Sequence, residues 1–258
     1  MSRIEALVGG LLRLPRPLLV ALDVDGTLSP IVQDPDVAEI PAPTLALLGR
    51  LAEATEVELA LVTGRDFDSL RRMERLDGIW RAVEHGGVVL APGEAPSQRR
   101  VLTQAQHDAL RRFQEWVDRN AAGAFIEHKP QAIAVHVRPI AARDPERAER
   151  LMNEADSVAA SLGLHVRRGK ALREAEAAPS DKRRALREIF ERSQSSSMFF
   201  VGDDLTDFGA IELAAKHGYG AFVRSHEQRG TPPDAAIVLD DVDEVAAVLR
   251  GIADGLER

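Results

Sequence analysis

Short apolar runs that end in polar turns recur along the chain, and the spacing of their apolar positions switches between two periods. Leu18–Leu22 is apolar at every position, as expected of a strand buried on both faces. Residues 43–54 place Leu45, Leu48 and Leu51 at helical spacing. Val57–Val62 reads as a second buried strand and residues 66–75 as a helix. Residues 82–83 and 88–90 read as two short strands about Gly86-Gly87. This alternation of strand and helix predicts a parallel sheet covered by helices.

The pattern changes over residues 91–169. Ala91 to Ser97 has the Pro, Gly and Ser content of a linker. A helix over 104–121 carries Leu110, Phe113 and Val117. Two strands follow about Pro130, at 125–129 and 132–137. In the second, Ile133, Val135 and Val137 alternate with Ala132, Ala134, His136 and Arg138, the period of a half-buried sheet. A helix over 145–162 and a strand near 164–167 complete a small α+β module. The first rhythm then returns, with helices at 180–192, 207–216 and 243–252 and strands at 198–201, 219–223 and 235–239. The expected fold class is α/β. A doubly wound parallel-sheet core spans residues 1–90 and 170–258, and a separate module spans 91–169.

Composition narrows the function classes. The 258 residues are 45% hydrophobic, enough for a core, and carry a net charge of −8. That balance argues against a nucleic-acid binder, which needs a basic face. The absence of cysteine excludes disulfides, thiolate catalysis and cysteine–zinc sites. No secretory pattern opens the chain, and Leu18–Leu22 is too short for a membrane span. A cytoplasmic monomer acting on a small molecule is expected.

The candidate chemistry falls at strand ends. Asp23-Val24-Asp25-Gly26-Thr27 follows the first strand, and ligands of open α/β sheets bind at that edge. Thr63-Gly64-Arg65 ends the second strand with a hydroxyl and backbone N–H groups suited to phosphate oxygens. Lys182 opens a helix. Gly202-Asp203-Asp204-Leu205-Thr206-Asp207 ends a later strand. Taken singly, Thr63 could cap the next helix, Lys182 could be a solvated charge, and 203–207 could be a capped loop. Their shared position favours one site. Asp23, Asp25, Asp203, Asp204 and Asp207 form a hard oxygen set suited to Mg²⁺. Charge neutralisation by the metal and Lys182 would let Asp23 attack phosphorus. Asp25 would give a proton to the leaving sugar oxygen and later take one from water.

These motifs resemble the four motifs of the haloacid dehalogenase superfamily of phosphatases. The resemblance implies an aspartyl-phosphate mechanism, Mg²⁺, a Rossmann-like core and a cap inserted between the second and third motifs, the C2 type. Within that superfamily the chain is most similar to the trehalose-phosphate phosphatases. Glu84-His85-Gly86 resembles their core loop. Glu127-His128-Lys129 resembles their cap Glu-x-Lys, which reaches sugar hydroxyls, and Glu176-Ala177-Ala178-Pro179 resembles their Glu-x-x-Pro. The chain departs from the pattern at Val137, Ala178, Arg183 and Phe208. The resemblance thus implies catalytic Asp23, Asp25, Thr63 and Lys182, and substrate contacts from Thr63, Gly64, Arg65, Glu127, Lys129 and Glu176. His136 is expected to be structural, packed on the cap sheet. Other sugar phosphatases, such as one for mannosyl-3-phosphoglycerate, a phosphosugar mutase and an inactive binding module remain as alternatives.

Overall fold

The computed structural model describes residues 2–32, 34, 37–94, 102–129, 131–169, 171–177, 180–224 and 231–257. The end of the expected linker (Ala95 to Ser97), Pro130 and the Ala178-Pro179 step lie outside these residues. The chain divides into two compact units, Met1–Arg99 with Asp181–Arg258, and Arg100–Ser180.

The larger unit begins with α1 (Arg3–Leu11), β1 (Leu18–Leu22), α2 (Ala42–Glu53), β2 (Val57–Val62), α3 (Phe67–Met73), β3 (Trp80–Val83) and β4 (Val88–Leu90). Its seven-stranded sheet has β1 at its centre, between β2 and β9 (Ser197–Gly202). Beyond β9 lie β10 (Gly218–Val223) and β11 (Ala236–Leu239); beyond β2 lie β3 and β4. Only β4 runs antiparallel to its neighbour. Every residue of β1 and β9 is buried, because helices cover both faces. Leu18, Val20 and Leu22 pack in one core with leucines of α1 and α2 and with α9 (Val242–Leu256). Leu19 and Ala21 point the other way, towards α7 (Lys182–Arg192) and α8 (Phe208–His217). The five-residue apolar run is therefore explained by two cores, one on each side.

The smaller unit contains α4 (Gln104–Asn120), β5 (Phe125–Lys129), β6 (Ala132–His136), α5 (Arg138–Ala141), α6 (Pro145–Ser161), β7 (His165–Gly169) and β8 (Leu172–Glu176). Its sheet is antiparallel, in the order β5-β6-β8-β7. Ile133, Val135 and Ala175 face a core completed by Phe113, Val117, Leu151 and Ala155.

Three sequence expectations change. Strand β8 was not anticipated, and it moves the return to the larger unit from about residue 170 to Asp181. Helix α1 was not anticipated either; Ser2 and Glu5 close its first turn as a capping box. The helix expected from residue 180 starts at Lys182, because the Asp181 side chain accepts from the Arg183 N–H at 2.8 Å and caps it.

Candidate active site

Parallel register brings the two acidic turns together. Leu22 of β1 stands beside Val201 of β9, and the Asp23 N–H donates to the Val201 carbonyl at 2.9 Å. Asp23 and Asp203 therefore leave adjacent strands at the same edge of the sheet. Gly26, at φ +77°, lets the first turn close over the second: a Cβ there would lie 2.0 Å from Asp203 Oδ2.

Helix α7 delivers Lys182 into the same place. Its side chain is 3% exposed, with Nζ 2.9 Å from Asp23 Oδ1 and 2.7 Å from Asp207 Oδ1. Asp207 is fully buried, and its other oxygen accepts the Asp204 N–H at 3.1 Å. Oxygens of Asp23, Asp203 and Asp207 all lie within 4.8 Å of one another. Lys182 is thus no solvated charge, and the 203–207 turn is more than a capped loop.

The electrostatics follow from burial. Desolvation raises the Asp23 carboxyl well above its ordinary value, against the pull of Lys182. Asp203 is pushed up to about 7 by burial and by the Asp207 charge, with Lys182 opposing. Burial alone would lower Lys182, but Asp207 and Asp23 outweigh it and raise it above the usual lysine range. Three buried carboxyl groups share one ammonium, so the pocket would carry uncompensated negative charge if all three ionised. A compact set of hard oxygen donors whose ionisation needs added positive charge fits a divalent cation.

Asp25 stands apart from that group. Its half-exposed carboxylate is held in a bidentate pair by Arg65, at 2.7 Å on both oxygens. Arg65 also donates to Ser69 Oγ at 3.0 Å, and its N–H donates to Thr63 Oγ1 at 3.1 Å. Thr63 does not cap the next helix; the Asp66 side chain does, accepting from the Ser69 N–H at 2.8 Å. Asp204 is exposed and its side chain lies outside the acidic group.

In the smaller unit, register sorts the charges onto one face. Glu127, Ala134, Glu174 and Arg167 lie in one row across the sheet, and Lys129, Ala132, Glu176 and His165 in the next. This face is opposite the one that packs on α4 and α6. Lys129 Nζ is 2.8 Å from Glu174 Oε1 and 3.9 Å from Glu127. Arg167 pairs with the other oxygen of Glu174. Glu176 accepts from the Ser180 N–H at 3.0 Å and from its hydroxyl at 2.8 Å. His136 lies on the polar face of the sheet, with Nε2 3.1 Å from Glu127 and its ring against the exposed Phe125. Burial alone would raise the Glu174 carboxyl, but hydrogen bonds from Lys129 and Arg167 outweigh it and hold it below the usual range. Sequence reasoning missed Glu174 and Arg167. The signal available was the alternation of charge across the 165–176 hairpin.

A family model described as trehalose-phosphatase matches residues 21–243. A trehalose-phosphate phosphatase of Mycobacterium marinum is 31% identical over 255 residues, covering 95% of this chain and 63% of the relative. One of Mycobacterium avium is 33% identical over 277 residues, covering 98% and 67%. An uncharacterised glycosyl hydrolase of Mycobacterium tuberculosis is 32% identical over 229 residues, 84% of this chain but 17% of the relative. The chain therefore spans under two thirds of the length of several of its curated relatives. Among solved structures, the trehalose-6-phosphate phosphatase of Aspergillus fumigatus shares the fold, with a TM-score of 0.74 at 24% identity and 98% of each chain covered. A trehalose-6-phosphate phosphatase related protein gives 0.62 at 25% identity, covering 92% of this chain and 97% of the other.

Proposed function

Since this chain belongs to the trehalose-phosphatase family, we propose that it is a Mg²⁺-dependent phosphatase that converts trehalose 6-phosphate to trehalose and inorganic phosphate in the cytoplasm. The observation that carries the reading is the buried group of Asp23, Lys182, Asp203 and Asp207 at the carboxyl edge of the sheet. The donor set suits Mg²⁺ held by Asp23 and Asp203, with Asp25 contributing through its backbone carbonyl and Asp204 and Asp207 acting from behind. A bound Mg²⁺ would supply positive charge that offsets the repulsion between the Asp23 carboxylate and an anionic phosphate ester.

The chain's own residues do the rest. Asp23 attacks phosphorus as the bond to the sugar oxygen breaks, giving an aspartyl phosphate. Asp25 protonates that leaving oxygen, then takes a proton from the water that attacks the intermediate, and phosphate departs. Lys182 favours the ionised form of the nucleophile and aligns it. Thr63 and the Gly64 N–H receive the phosphoryl oxygens, with Arg65 beside them. On the smaller unit, Glu127, Lys129 and Glu176 recognise sugar hydroxyls, and the polar row adds Glu174 to that set.

The test is a phosphate-release screen over phosphorylated sugars, with and without Mg²⁺. Selective release from trehalose 6-phosphate in Mg²⁺ is expected. Preference for another sugar phosphate, or activity that survives EDTA, overturns the substrate or the metal assignment respectively. Phosphate transfer without release points to a mutase.

A further inference from the structure

The turn after β3 has a backbone that three successive residues rarely adopt. Glu84, His85 and Gly86 have φ of 54°, 55° and 84°. L-residues visit this left-handed region singly, and a run that includes two side-chain-bearing residues is sparse. Such conformations persist only where surrounding contacts over-determine them, and they cluster at functional sites. Here the contacts reach two of the phosphate-handling elements at once.

On one side the turn is stitched to the end of β2. The His85 N–H donates to the Thr63 carbonyl at 2.9 Å, and the Glu84 N–H donates to the Arg65 carbonyl at 2.8 Å. The His85 ring lies against Gly64, where an added Cβ would sit 2.5 Å from Cε1. On the other side the turn meets the first turn of α7. A Cβ at Gly86 would lie 2.8 Å from both the Asp181 carbonyl and the Ala185 Cβ. Arg184 donates to the Gly86 carbonyl at 2.6 Å. Asp181 and Arg184 flank Lys182 in sequence, so the turn is clamped between Gly64 and the helix start that carries the lysine.

We infer that Glu84-His85-Gly86 is a spacer that fixes the Gly64 peptide relative to Lys182, with His85 as its positioning residue. The inference rests on the phosphatase reading above. Gly64 supplies an N–H for the phosphoryl group and Lys182 supplies charge. Their separation therefore decides how well one phosphate can engage both. An error of about 1 Å in such an arrangement can cost about a hundredfold in rate. The flat face of the imidazole, pressed on a residue without a side chain, sets that separation. Arg184 holds the far end of the turn.

The test uses the full chain in Mg²⁺ with four variants: His85→Ala, Gly64→Ala, the double variant, and Arg184→Met. Turnover is measured on trehalose 6-phosphate and on p-nitrophenyl phosphate, and the affinity for inorganic phosphate by calorimetry. His85→Ala should lower kcat/KM for both substrates by a similar factor, about ten- to a hundredfold. It should also weaken inorganic phosphate binding. Gly64→Ala should be severe in the parent and milder in the His85→Ala background, since the ring it collides with is gone. Arg184→Met should move phosphate affinity in the same direction by less. Loss confined to the sugar substrate, or an equal Gly64→Ala effect in both backgrounds, overturns the inference. If His85→Ala does not fold, Arg184→Met decides, and unchanged phosphate affinity there overturns it. A parent that hydrolyses no phosphate ester sinks the phosphatase reading instead, while phosphate affinity still reports on the turn.

Discussion

Three buried carboxylates around one ammonium leave the Asp23 pocket short of positive charge, and that deficit should be measurable without any substrate. Folded Asp203 titrates at about 7, whereas an unfolded aspartate titrates near ~4. Between those values the folded chain retains a proton that the unfolded chain has released. Metal-free stability from this group must then fall as pH rises from about 4 to about 7, and level off above. A divalent cation needs the deprotonated pocket. Thermal melts should therefore show Mg²⁺ raising Tm more at pH 8 than at pH 5, and a shift that ignores pH would contradict this. Lys182→Met should be harsher, since it strands Asp23 and Asp207 in the interior. Breaking a buried pair in this way costs about 3–5 kcal/mol, read by urea unfolding. Asp23→Asn keeps the shape but removes the proposed nucleophile. Less than about 1% of parental turnover should remain in a phosphate-release assay, with the melting curve retained.

At the scale of elements, the polar face of the second sheet makes unequal predictions for neighbouring residues. Glu127 is half-exposed beside His136, so Glu127→Ala should cost under about 1 kcal/mol of stability. Its effect on trehalose 6-phosphate should still be about ten- to a hundredfold in kcat/KM, through a lost charged hydrogen bond. An aryl phosphate, which has no sugar, should be nearly indifferent. Lys129→Ala should also destabilise the unit, because Glu174 behind it is buried and loses one of two cations. Glu174 titrates below its ordinary value. Its contribution is therefore present above about pH 4.5 and drains away as pH falls towards the depressed value. Circular dichroism melts of the Glu174→Gln variant should accordingly show a shallower decline on the acid side than those of the parent.

The same elements show where sequence reading succeeds and stops. Buried apolar runs such as Val57–Val62 are legible because burial on both faces leaves no polar position. Strand β8 is not, because Leu172–Glu176 alternates Glu174 and Glu176 with Arg173 and Ala175 and offers almost no apolar signal. Its stability comes from partners: Arg167 and Lys129 on one face, and Asp156 for Arg173 on the other. Helix α1 is hidden by Gly9 and Gly10, both poor helix formers, and the missing side chain at Gly10 admits Tyr219. In the pocket, order along the chain sufficed to assemble Asp23, Lys182, Asp203 and Asp207. It could not say that Arg65 would clasp Asp25 rather than stand free, because both residues are compatible with several partners.

For the whole molecule, the strand order governs how the chain can be made. Central β1 has β2 on one side and β9 on the other, and β9 ends 180 residues after β1, from Leu22 to Gly202. A ribosome adding about 5–20 residues each second needs roughly ten to forty seconds to cover that distance. Until β9 is made, β1 offers an unpaired, wholly apolar edge, a template for pairing with other chains. The smaller unit, by contrast, has all four of its strands by Glu176 and can close while β1 still waits. Chains stopped near residue 99 should aggregate when released from the ribosome, and chains stopped past α9 should not, as sedimentation of stalled and released products would record. Slowing synthesis between those points should lengthen the demand for a chaperone that shields strand edges, without altering the final fold.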